Sequence, residues 1–308
     1  MIQTTDLRVD YDGFTAVHSL TLEIPAGQVF GLIGPNGAGK TSTIRVLATL
    51  QQPTYGEVRV GGFDVAEQSD QVHSILGYMP DLAPVHDDLK VWEMLDMFAA
   101  AHGVERRDRK RRVSECLDMV SMNKKRDVKG KALSRGMMQR VVLAKTLLHK
   151  PKVLLLDEPA SGVDPVARIE FRRIMRRLAD EGRSVLVSSH ILTELADMCD
   201  AIGVMREGRM VVHGKIDDIV TKMQPKRIVE IDCPGHAASA AAQLHDRPGV
   251  VATSFEIDTV LVEFNGDANE LSRLLTFLVG GGVAVTRFVE KRFGVEDIML
   301  QLEGMEMT

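Results

Sequence analysis

Gly34-Pro35-Asn36-Gly37-Ala38-Gly39-Lys40-Thr41 fits the spacing G-x-x-x-x-G-K-[ST] at every fixed position, between the apolar run Val29-Phe30-Gly31-Leu32-Ile33 and a helical pattern continuing from Lys40 to about Leu50. This spacing works only as the turn between a buried strand and a helix, so it constrains the fold more than any other stretch of the chain. Its glycines let successive backbone N–H groups point to one centre, and the N-terminus of the following helix adds partial positive charge. Such a cradle fits a nucleoside triphosphate. Lys40 reaches the β- and γ-phosphates as a point charge, the Thr41 hydroxyl offers Mg²⁺ a hard oxygen, and Ser42 hydrogen-bonds a phosphate.

The surrounding chain has the layout to which this turn belongs. Residues 5–33 alternate apolar and polar positions in short runs broken at Asp12-Gly13 and Pro25-Ala26-Gly27, which predicts strands joined by turns. After Gln51-Gln52-Pro53 a further β-like stretch carries Val58 and Val60 on one face. Between about Asp81 and Lys150 the composition shifts to helix formers. Val91, Met94, Leu95 and Phe98 share one helical face, as do Val113, Cys116, Leu117 and Val120. Val153-Leu154-Leu155-Leu156 and, after another helical pattern, Ser184-Val185-Leu186-Val187-Ser188 have the apolar continuity of central parallel strands. Alternating strand and helix predicts an α/β core. Beyond about Lys222, with Pro225 at the join, the order strand (227–231), helix (237–244), strand, strand (259–264), helix (269–279), strand (284–288) predicts a small α+β domain. Gly280-Gly281-Gly282 has no Lys-Thr after it and reads as a turn, not a second phosphate loop.

The run Val153-Leu154-Leu155-Leu156 closes on Asp157-Glu158. Downstream of a phosphate loop, one acid of such a pair holds Mg²⁺ and the next orients the attacking water, which makes Asp157 the metal-side residue and Glu158 the base. Shortly before that strand stands Leu133-Ser134-Arg135-Gly136-Met137-Met138-Gln139-Arg140, where the ABC superfamily of nucleotide-binding subunits has its signature motif, and the chain resembles that superfamily. Further matches fall in order. Tyr11 stands where the family stacks adenine, with Phe14 close enough to compete. Ser161-Gly162-Val163-Asp164 is similar to its D-loop, and His190 after Ser188-Ser189 to its switch histidine. The resemblance spans roughly residues 1–220, about two-thirds of the chain.

The resemblance implies an α/β P-loop NTPase cassette over residues 1–222, with a mostly parallel core sheet, an antiparallel β subdomain and a helical subdomain inserted at about 82–150, followed by a C-terminal α+β accessory domain over 223–308. It implies an ATPase with ATP and Mg²⁺ as cofactors. Thr41 and Asp157 would be on the metal and Lys40, Glu158 and His190 in catalysis. The nucleotide would be held by Tyr11, Gly34, Pro35, Asn36, Gly37, Ala38, Gly39, Lys40, Thr41, Ser42, Asp81, Ser134, Gly136 and Asp164. Two cassettes, identical or related, would bind two ATP head to tail, the Ser134 and Gly136 segment of one capping the γ-phosphate on the other. An integral-membrane permease would complete the assembly. The cassette would be cytoplasmic, peripheral to the membrane through that permease. The end of the chain, Phe293-Gly294-Val295-Glu296-Asp297-Ile298-Met299-Leu300-Gln301-Leu302, resembles the tail of the drug, lipid and sodium export branches, implying an exporter.

Three residues depart from the pattern. Asp81 stands where the family usually has Gln, Arg135 where it has Gly and Met137 where it has Gln. A carboxylate only accepts hydrogen bonds, so Asp81 lacks the donor an amide would bring. Ser134 and Gly136 are retained, and hydrolysis is expected to survive. The 38 basic and 43 acidic residues give a net charge of -5, which argues against a general grip on nucleic acid. Cys116, Cys199 and Cys233 are scattered and odd in number, predicting reduced thiols and no zinc spacing. The first residues lack the charged and apolar regions of a secretion signal, and no run of about 18 apolar residues occurs. The rival reading is a soluble, non-transport ABC ATPase working on nucleic acid or ribosomes. It usually comes with paired cassettes, long coiled coils or zinc modules, which this sequence lacks. The basic run over residues 106–112 reads as a solvated helix start.

Overall fold

The computed structural model describes residues 1–81, 85–162, 165–191, 195, 198–216, 218–219 and 227–291. The chain forms two compact units, Met1–Ile216 and Asp217–Thr308.

In the first unit, β1 (Ile2–Tyr11) and β2 (Phe14–Ile24) form a hairpin closed opposite Tyr11 and Phe14. Asp12-Gly13, with Gly13 at φ +94°, is the two-residue turn that such a hairpin favours. β4 (Tyr55–Val60) and β5 (Phe63–Asp64) extend this antiparallel sheet in the order β2-β1-β4-β5. Leu7, Val9, Val17, Leu20, Leu22, Val58 and Val60 turn inward in one core cluster.

The second sheet is the predicted central one. It contains β3 (Val29–Ile33), β6 (Leu76–Met79), β7 (Val153–Leu156), β8 (Ser184–Ser189), β9 (Ala201–Arg206) and β10 (Arg209–Lys215), in the order β10-β9-β3-β8-β7-β6. Neighbours are parallel except at the β10 edge. Every residue of β3, β7 and β8 is buried, which is why these runs are continuous instead of alternating. This order sets the C-terminal ends of β3, β8, β7 and β6 side by side, and ligands of open α/β sheets bind beyond such ends.

Helices cover this sheet. α1 (Lys40–Leu47) follows the glycine loop and buries Thr43, Ile44, Val46 and Leu47, and α2 (Ser69–Ile75) leads into β6. The insertion between β6 and β7 holds α3 (Val91–Ala101), α4 (Arg106–Met119) and α5 (Arg135–Thr146), which pack on one another through the apolar faces read from the sequence. The basic run opens α4 as a solvated face: Arg107 pairs with Glu105 at 2.8 Å and Arg111 with Glu115 at 2.7 Å. Arg112 departs from this pattern. Its guanidinium is buried and donates to the carbonyls of Leu147 and, at 2.8 Å, Leu148, groups that the end of α5 leaves without helical partners. α6 (Pro165–Asp180) precedes β8.

The second unit has β11 (Arg227–Asp232), α7 (Ala237–Leu244), β12 (Val250–Glu256), β13 (Thr259–Phe264), α8 (Ala268–Gly280) and β14 (Arg287–Lys291). Its antiparallel sheet runs β12-β13-β11-β14, and its core includes Val229, Ile231, Leu244, Val260, Val262, Phe264, Leu274 and Leu278. The last strand starts later than the sequence suggests. Val283 and Val285 pack into the core from an irregular segment, and the ladder begins only at Arg287 opposite Asp232. The apolar pattern of 283–285 therefore reports burial and not strand. Among the described residues no helix is long and apolar enough to cross a membrane. The export-like terminal stretch from Phe293 to Leu302 lies outside the described residues.

Candidate functional site

The glycine loop between β3 and α1 has no room for a side chain at Gly34 or Gly39. A methyl group on Gly34 would come within 2.2 Å of the Met205 carbonyl oxygen. Gly39, at φ +98°, would carry one 2.5 Å from the Ala16 oxygen. Glycine at both positions lets the loop pack directly against those carbonyls. Lys40 folds back over it: Nζ donates to the carbonyls of Gly34 at 2.6 Å and Pro35 at 3.2 Å and lies 3.5 Å from Glu158 Oε1. Burial lowers the pKa of this ammonium, and the charges of Glu158 and Asp157 work in the opposite direction.

β7 and β8 deliver the acids. Asp157, 2% exposed, accepts a hydrogen bond from Ser188 Oγ at 2.6 Å. The same Ser188 oxygen accepts from the Glu158 backbone N–H at 2.9 Å. Ser188 thus ties the two acids into one bend, at which Glu158 takes φ +48°, a conformation that costs a non-glycine residue about 1–3 kcal/mol and needs such support. Beyond β8, His190 Nδ1 stands 2.8 Å from Glu158 Oε2. Glu158 therefore lies between Lys40 and His190. Ser188 is the residue whose part the sequence does not reveal. The parallel register of β7 and β8, with Leu156 opposite Val187, is what brings it beside Asp157.

Asp81, just past β6, lines the same cleft of ≈ 240 Å³ together with Phe14, Ala16, Asn36, Gly37, Ala38, Gly39, Lys40, Thr41, Ser42 and Glu158. Burial first, and then the charges of Asp157 and Glu158, raise its pKa, while Arg135 and His190 oppose the rise. A hollow of ≈ 510 Å³ on the antiparallel sheet, lined by residues such as Gln3, Thr5, Glu57 and Arg59, has no glycine loop and no such convergence of lysine and acids. The aromatic face open to the cleft is that of Phe14, 60% exposed. Tyr11 stacks against it with centroids 5.5 Å apart, and its hydroxyl is engaged with Gln51 Oε1 at 2.6 Å and Ser42 Oγ at 3.2 Å.

Ser134 and Gly136 are not part of this lining. Ser134 is the N-cap of α5, its hydroxyl accepting from the Met137 amide at 3.3 Å, and Gly136 is buried in the first turn. Asp164 lies outside the described residues. The donor set suits a hard divalent cation. The Thr41 hydroxyl and the Asp157 carboxylate are hard oxygen donors, and among the described residues no group of three or more His, Cys, Asp or Glu is placed to hold a metal.

Comparison with known proteins agrees with this geometry. Residues 17–161 match the family model described as "ABC transporter". The chain is 30% identical over 308 residues to the "Nod factor export ATP-binding protein I" of Cupriavidus metallidurans, covering 100% of this chain and 98% of that protein. It is 32% identical to the "Daunorubicin/doxorubicin resistance ATP-binding protein DrrA" of Streptomyces peucetius, covering 98% and 92%. A solved structure described as an ATP binding subunit of an ABC transporter superposes with a TM-score of 0.65 at 27% identity, over 72% of this chain and 92% of that one.

Proposed function

Because the chain belongs to the ABC transporter family, as an ATP-binding and ATP-hydrolysing cassette of the exporter type, we propose that the cleft beyond β3, β6, β7 and β8 is its hydrolytic site, with Glu158 as general base. The observation that carries this reading is the placement of Glu158, set between Lys40 at 3.5 Å and His190 at 2.8 Å on a bend that Ser188 ties to Asp157. Lys40 and the backbone N–H groups around it hold the phosphates, and Ser42 adds a hydroxyl. Thr41 and Asp157 would hold Mg²⁺, which would supply charge neutralisation at the phosphates. Glu158 accepts a proton from the attacking water, and His190 keeps the Glu158 carboxylate and that water aligned.

Phe14 presents its ring to the base, and Tyr11 beneath it fixes the ring's position. Ser134 and Gly136, away from the cleft of their own subunit, serve the γ-phosphate of a second cassette, identical or related, in a head-to-tail pair to which Asp164 also contributes. The pair works on the cytoplasmic face of a membrane, bound to an integral-membrane permease that selects the exported molecule. The full-length likeness to export subunits and the net charge of -5 favour this over a soluble ATPase acting on nucleic acid or ribosomes. The test is Glu158→Gln. The variant should bind ATP, accumulate as a dimer and lose turnover, because water activation goes while the phosphate cradle stays. Wild-type steady-state hydrolysis in that variant would refute the assignment of the base.

A further inference from the structure

Arg135 is the first residue of α5, directly after the Ser134 cap, where the partial positive charge of the helix end disfavours a cation. Something must offset that placement, and two features do. First, the guanidinium lies against the loop that follows Glu158. A methyl group built on Gly162 would come within 2.6 Å of Nη1 and 2.7 Å of Cζ, and Gly162 has φ +67°. Only glycine combines that backbone with room for the planar group. Second, the positive charge of Arg135 acts on Asp81, at the edge of its own subunit's cleft. Of the charges acting on the Asp81 carboxyl, Asp157 and Glu158 oppose ionisation, and Arg135, ahead of His190, favours it. The attraction acts across a gap, with no ion pair closing it. Asp81, Asp157 and Glu158 thus bring three negative charges to one end of the sheet, and Arg135 supplies a countercharge from a different layer of the molecule.

We propose that Arg135 is a positioning residue for ATP hydrolysis: lying on Gly162 and offsetting Asp81, it ties the N-terminal end of α5 to the catalytic carboxylates of its own cleft, so that the alignment of Glu158 depends on where α5 stands. The proposal rests on reading that cleft as the ATP site. Arg135 touches neither phosphate nor water in this scheme. Its influence passes through the Gly162 loop and through Asp81, and it should therefore show in the rate of the chemical step and not in nucleotide affinity.

The test is a double-mutant cycle on the full-length chain with Arg135→Gln, Asp81→Asn and the pair together, plus Arg135→Lys. Each variant is read for kcat, KM and equilibrium binding of a fluorescent ATP analogue, with thermal unfolding as a check on folding. Arg135 is solvent-exposed, so its variants are expected to fold. Arg135→Gln should lower kcat by about threefold to tenfold, the coupling range for groups in one network, with KM and analogue affinity unchanged. Arg135→Lys should recover most of the loss. The double variant should be no slower than Asp81→Asn alone, since without the third acid the countercharge has nothing to offset. Additive losses in kcat, or a loss confined to KM and affinity, would overturn the proposal while leaving the ATP site in place. A wild-type chain that binds no ATP would remove both.

Discussion

Replacing Ser188 by alanine deletes one buried hydroxyl and, with it, two hydrogen bonds, to Asp157 Oδ1 at 2.6 Å and from the Glu158 amide at 2.9 Å. The first is a bond to an ionised carboxylate with 2% exposure, and its loss costs about 1.5 kcal/mol. The second leaves a half-buried N–H without its partner, at a cost of about 1–2 kcal/mol. Together they predict about 3 kcal/mol of lost stability, or a fall of about 6–12 °C in the unfolding midpoint for a unit of this size. The catalytic loss has a separate origin. The bend at Glu158 no longer has its support, and a base displaced from the line between Lys40 and His190 orients water poorly, so kcat should fall by about 10–100-fold, with ATP binding retained. Calorimetry, nucleotide titration and steady-state ATPase on one preparation measure all three quantities. A Ser188→Ala protein that melts with the wild type and hydrolyses at its rate would show that the hydroxyl does not organise the two acids.

Phe14→Ala should weaken ATP binding by about fivefold or more, as loss of one base–aromatic stack does, whereas Tyr11→Phe, which loses only hydroxyl contacts beneath the ring, should change affinity little; both are read by nucleotide titration. Asp81 has a folded-state pKa above its unfolded value, so the folded chain binds the proton more tightly and the stability this confers, full at acid pH, is lost as pH rises through the interval between the two values. Denaturant midpoints of the nucleotide-free chain taken across that interval should decline more steeply for the wild type than for Asp81→Asn, and parallel curves would contradict the assignment.

The sequence made the central sheet legible because both of its signals are local. An uninterrupted apolar run such as Val153-Leu154-Leu155-Leu156 reports burial on two faces, and the glycine spacing after β3 reports a turn with no room for a side chain at Gly34 and Gly39. What stayed hidden depends on which strand lies next to which. Ser188 acquires its role only because β8 runs parallel to β7 in a register that sets it beside Asp157. Arg112 looked like one more cation in a solvated run, yet it is the member of that run that turns inward and satisfies the carbonyls at the end of α5. The order of two aromatics across a hairpin, Phe14 outside and Tyr11 beneath, likewise depends on the stacking of their rings and the Gln51 contact, neither of which spacing encodes.

The Arg112 contact has a mechanical consequence. α5 has 12 residues and spans about 18 Å, with Arg112 clamping one end to α4 and Ser134 and Arg135 at the other. A rod clamped at its tail works as a lever on whatever its tip touches, here the Gly162 loop. A tilt imposed on α4 would sweep the Ser134 end through the larger arc, so a small displacement at the helical layer would be magnified at the tip.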